Sequence, residues 1–194
     1  MAAKQLVRFY DSVLIREAEQ AVKRAASAKA SGDAKGHGGA SFTAIVAATC
    51  ATEAYLSEVL APLEEKGFIT SAERDDIRRR DGLWSKYNAL ARKFNDGLHK
   101  KPIYGRFQAL VHLRNAMVHR SAEYLQPGVW PDEVAPYKTV IPHVSGDGLD
   151  WTSQVYDADT ASWAVTTANE FLKCVDDHVP DPGRSPFIDP GTSA

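Results

Sequence analysis

Arg114-Asn115-Ala116-Met117-Val118-His119 sets a permanent cation, an amide and a titratable imidazole within six residues. On a helix this is about one and a half turns. Such a set can hold a phosphodiester and move a proton. Arginine presents a rigid fork of donors to phosphate oxygens. Histidine accepts and returns a proton near neutral pH.

The surrounding residues say how the set would be held. Read as a helix at about 100° per residue, residues 105–120 place Phe107, Leu110, Val111, Leu113, Met117 and Val118 on one apolar arc. Arg114 falls in the middle of that arc. Asn115 and His119, four apart, share a neighbouring polar stripe, with His112 near it. A guanidinium on an apolar arc must be paired or must line a cavity, because an unpaired buried charge costs several kcal/mol or more. Glu53 is the matching anomaly, an acid beside Phe42, Leu56 and Leu60 on the apolar face of another helix. The two are expected to pair, and breaking such a buried pair from one side costs about 3–5 kcal/mol. The same residues also fit a purely structural arginine tying two helices together, with Glu53 at the edge of its stripe and His119 an ordinary surface or cap residue.

The elements that must position these residues are helical. Residues 4–30 carry an amphipathic stripe of Val7, Tyr10, Leu14, Ala18, Ala21, Val22 and Ala25. The glycine-rich segment 31–39 reads as a mobile loop. Ser41 is the expected N-cap of a second helix over 41–65, ended by Gly67. Thr70 or Ser71 opens a third, with Glu73 and Asp75 in its first turn, where the helix dipole favours acids. Gly82 breaks the chain before Leu83–Leu90, and the motif helix follows Pro102. Four prolines between 121 and 158 exclude a long helix there. Tyr137–Ile141 and Trp151–Tyr156 flank Ser145-Gly146-Asp147-Gly148, which predicts a β-hairpin. A last helix, capped by Asp159 or Thr160, covers about 160–178, and 179–194 is expected to be a flexible tail. The fold class is all-α: one helical domain over 1–178, with a small β-hairpin insertion between the motif helix and the last helix.

The run from Arg114 to His119 resembles the signature of the HEPN superfamily, an arginine, a polar residue, three variable residues and a histidine. Ala47–Leu56, with its inward glutamate, is similar to that family's early long helix. Trp84–Leu90 is similar to the lysine-tyrosine helix that often precedes the motif, and Ser162–Val165 to the start of the closing helix. The resemblance covers roughly residues 41–178; the glycine-rich segment and the insertion align with nothing in it.

The resemblance implies a helical bundle whose motif helices meet across a homodimer to build a composite site. His119 would be the general base or acid on an RNA 2′-hydroxyl, Arg114 would stabilise charge on the phosphate, and Asn115 would orient the phosphate or the imidazole. Glu53 would support them. The products would be a 2′,3′-cyclic phosphate and a 5′-hydroxyl. The implied function is a metal-independent endoribonuclease, such as a toxin or phage-defence component, whose partners are RNA and a cognate antitoxin or nucleotidyltransferase. The alternative is a non-catalytic module that binds a nucleotide, RNA or a partner protein. His112 matches no motif position.

Composition agrees with a soluble single domain. The 194 residues are 44% hydrophobic and 25% charged. No stretch of the sequence reads as a membrane span of roughly 20 apolar residues. Arg8, Asp11 and Arg16 interrupt any signal-peptide core, so a cytoplasmic location is expected. Cys50 and Cys174 read as reduced core residues, and the six histidines lack metal-ligand spacing, so neither metal nor cofactor is expected. A net charge of −2 argues against coating nucleic acid by bulk electrostatics. It leaves room for a local basic cleft from Arg78-Arg79-Arg80, Arg92-Lys93, or Lys100-Lys101 with Arg106.

Overall fold

Local signals in the sequence set most of the helix boundaries in the computed structural model, which describes residues 10–94, 98–119, 126–146 and 148–180. Seven α-helices run through these residues: α1 (Tyr10–Ser31), α2 (Ala34–Glu65), α3 (Ser71–Arg79), α4 (Leu83–Phe94), α5 (Pro102–Val118), α6 (Trp151–Val155) and α7 (Ala158–Asp176). Short 3-10 turns occupy Leu98–Lys100 and Ala135–Tyr137. The all-α class stands.

Thr70 caps α3 in a reciprocal box, its side chain accepting from Glu73 N–H while the Glu73 carboxylate accepts from Thr70 N–H. The Lys93 ammonium, with Thr70's donors, holds the Glu73 carboxyl down to about 2. Gly67 and Gly82 both adopt φ of +75°, a conformation that a β-carbon disfavours, so the chain turns after α2 and before α4. Pro102 occupies the first turn of α5, where its missing N–H costs nothing.

Three expectations need correction. The glycine-rich segment is the first turn of α2, which begins at Ala34 under an Asp33 cap rather than at Ser41. Asp33 Oδ1 accepts the Gly36 N–H at 2.9 Å, and a β-carbon at Gly36 would collide with that carboxylate. Here glycine makes room for the cap. Second, no strand occurs among the described residues. The expected hairpin is a 3-10 turn at Tyr137 and the short helix α6. Asp150 starts α6 by accepting from the N–H groups of Thr152 and Ser153, and the fully buried Trp151 anchors it. Third, α7 begins earlier than expected, under Asp157, and Val179 beyond its end is still buried in the core. Residues 4–9 and 181–194 lie outside the described residues.

α2 is the central element, with α1, α5 and α7 against it. It is long and apolar enough to cross a membrane by length and composition, contrary to the sequence expectation, but 61% of its most apolar window is buried inside the protein. Its alanines and threonines allow the close approach of α1 and α7. The core has two parts. One joins α1, the first half of α2, the second half of α5, the insertion and the start of α7. The other joins the second half of α2 to α3, α4, the first half of α5 and the end of α7. In the second, Phe107 and Phe171 stack with ring centroids 3.6 Å apart, and Tyr87 meets both edge-on. Tyr87 donates to the Thr52 carbonyl at 2.7 Å, and Tyr55 to Asp176 at 2.9 Å, so these buried hydroxyls are satisfied. α5 therefore lies between α2 and α7, its buried face running from Ile103 to Met117.

Candidate functional site

Arg114 sits near the C-terminal end of α5, one turn before the buried face runs out. Its guanidinium is held from two sides. Nη1 donates to Asn115 Oδ1 at 3.0 Å, and Nη2 lies 3.9 Å from Glu53 Oε2 on α2. The expected contact between the two helices thus exists, but not as a buried pair. Glu53 is 51% exposed and Arg114 25%. An ion pair this long and this wet is worth about 0.2–1 kcal/mol, not the 3–5 kcal/mol expected for a buried one. Glu53 is at the edge of its stripe. Leu56 and Leu60 beside it are buried, whereas Phe42 is only partly so.

The pair leaves most of the arginine's donor capacity unspent. Guanidinium has five N–H bonds. Nε is buried with no hydrogen-bond partner among the described residues. A buried donor left unsatisfied costs about 1–3 kcal/mol. The guanidinium as a whole is a quarter exposed, so the donors a ligand could meet are those of its outer nitrogens.

His119 is the C-cap of α5. Its backbone N–H donates to the Asn115 carbonyl at 2.9 Å, and its side chain is exposed. Asn115 is half-buried between it and Arg114 in sequence. The structure thus keeps Arg114, Asn115 and His119 on the last turn and a half of one rigid helix, with Glu53 against the arginine. Val118, expected on the apolar arc, is 47% exposed beside them. The helix ends here, and among the described residues both 118 and 119 are exposed.

His112 lies two turns earlier, on the same stripe as Asn115 and His119. Its ring stacks on Tyr137 of the insertion, with centroids 5.2 Å apart and planes 20° from parallel. Burial lowers its pKa below the ordinary histidine value, against the opposing pull of Glu133. Nothing in the residue pattern marks Tyr137 as a neighbour of the motif helix. It lies 25 residues from His112, in a segment that read as a strand. The Trp130 ring beside it meets His143 edge-on and carries the Lys138 ammonium 5.3 Å above its face.

The basic runs do not converge on the motif. Arg80 pairs with Asp76 at 2.8 Å and Lys93 with Glu73 at 2.6 Å, both on α3 and α4. Arg106 pairs with Glu170 at 2.5 Å, and Lys101 meets His178 at 3.0 Å, at the opposite end of α5 from His119. These cations are largely matched by acids or neighbours at the surface, as solvated helix faces usually are. No protein family, curated protein or solved structure matches the chain.

Proposed function

We propose that this chain is a HEPN-type domain acting as a metal-independent endoribonuclease, assembled as a symmetric homodimer with the ends of the two α5 helices facing each other. The observation that carries the reading is the state of Arg114. It is a quarter-exposed guanidinium on an otherwise buried helix face, held beside Glu53 and Asn115, about one and a half helical turns from an exposed imidazole. A structural arginine would be expected to spend its donors on the fold.

In this mechanism Arg114 receives the non-bridging oxygens of the scissile phosphate and Asn115 orients them. His119 takes the proton from the 2′-hydroxyl. The 2′-oxygen attacks phosphorus, the bond to the 5′-oxygen breaks, and the leaving oxygen takes a proton from the second His119 of the dimer. The products are a 2′,3′-cyclic phosphate and a 5′-hydroxyl. The nucleophile is supplied by the substrate itself, so the chemistry calls for positioning, charge stabilisation and one proton relay.

The test is incubation of purified protein with tRNA and with structured RNA in EDTA, with the product ends identified. Cleavage leaving cyclic phosphate and 5′-hydroxyl ends is expected. Tight binding of RNA or nucleotide with no cleavage would replace this reading with that of a non-catalytic binding module.

A further inference from the structure

We infer that His112 and Tyr137 form a stacking platform for an RNA base next to the scissile phosphate, which makes the insertion part of the surface that grips RNA. The inference rests on the ribonuclease reading and adds a subsite to it. Three observations carry it. The two rings lie nearly parallel, 5.2 Å apart, so the pair is already ordered as a planar aromatic unit. His112 is on the same helical stripe as Asn115 and His119, about 4.5 Å and 10.5 Å along the axis from them. Both rings are half-buried rather than enclosed, so each is pinned by the core and still reaches the surface.

A metal-independent ribonuclease holds its phosphate by charge, and charge does not fix the bases. Single-stranded RNA is further held by unstacked bases laid on aromatic side chains. The polar stripe of α5 carries Asn115 and His119 at its end and the aromatic pair two turns before it, while Arg114 projects from the neighbouring face. A strand whose phosphate meets Asn115 and His119 would therefore lay a neighbouring base on the rings. Burial favours the uncharged form of His112, which suits it to stacking rather than to proton transfer.

The experiment compares two single-stranded probes by fluorescence anisotropy: a 2′-fluoro oligoadenylate, which lacks the nucleophile, and the same backbone with its central bases removed. Wild type should bind the intact probe about tenfold or more tightly than the abasic one, the weight of one stacked base. Tyr137→Leu keeps an apolar side chain against the core but has no ring. It should lose that margin and bind both probes alike, whereas Tyr137→Phe should restore it. In cleavage of unmodified RNA, Tyr137→Leu and His112→Ala should raise KM about tenfold and change kcat less than threefold. Equal binding of the two probes by wild type, or an unchanged margin in Tyr137→Leu, would overturn the platform. Absence of cleavage in wild type while the probes are still discriminated would overturn the ribonuclease reading and leave the platform as part of a binding site.

Discussion

In the proposed site Arg114 would serve both the fold and the phosphate, and the balance between the two decides what substitutions there should do. It is tied to Glu53 and Asn115, yet its Nε is kept from any partner among the described residues. Glu53→Ala removes a long, half-exposed ion pair, so the expected loss of stability is at most about 1 kcal/mol by chemical denaturation. A loss of 3 kcal/mol or more would mean that the pair is far better shielded than the structure has it. Cleavage should suffer more than stability, because the guanidinium loses its orientation. Arg114→Lys keeps the charge but not the fork. It should slow kcat/KM by about 10–100-fold, the weight of a charge-assisted hydrogen bond, with little change in thermal midpoint. Arg114 was legible in the sequence because a permanent cation is improbable on an apolar arc. The exposure of Glu53 and Val118 was not, because periodicity cannot tell the centre of a buried face from its edge near a helix end.

At the scale of elements, α5 can only serve as a platform if it is held firmly. Phe107 on α5 stacks on Phe171 on α7, with Tyr87 against both. Phe171→Ala should therefore cost about 3–5 kcal/mol, read as a shift of the denaturation midpoint. Asp157 ties the start of α7 to α1. It accepts the Asp159 N–H and the Lys29 ammonium, which lies 2.9 Å from its second oxygen. Burial pushes this carboxyl upward, but the Asp159 N–H and Lys29 outweigh burial and hold it below the ordinary aspartate value. A depressed folded pKa contributes stability above the unfolded value and loses it as pH falls through the folded one. Wild type should thus lose stability as pH drops below about 4, and Asp157→Asn should flatten that part of the profile. Equal acid sensitivity in the variant would remove Asp157 from the account. Most helix boundaries could be read from Thr70 with Glu73, Gly67, Gly82 and Pro102, because capping and backbone chemistry act locally. The insertion could not. Tyr137–Ile141 alternates like a strand, but a strand needs a partner. The Asp150 cap and the burial of Trp151 turn the segment that would have paired with it into a helix.

The whole molecule presents its motif at an edge, with His119 and Val118 exposed at the end of α5. One chain supplies one arginine, one asparagine and one histidine to a reaction that needs a proton removed and a proton returned. Sedimentation at micromolar concentration should give a dimer, and Val118→Lys should shift it toward monomer and lower cleavage with it. A wild-type monomer that cleaves at full rate would contradict the two-fold site. The central claim is that His119 moves the proton. The most direct test is the rate of RNA cleavage in EDTA by His119→Ala beside wild type, at a concentration where both are folded dimers. The variant should be slower by about 10²–10⁴-fold, with wild type undiminished by the chelator. Cleavage by His119→Ala at the wild-type rate, or wild-type cleavage that appears only when metal is added, would contradict it.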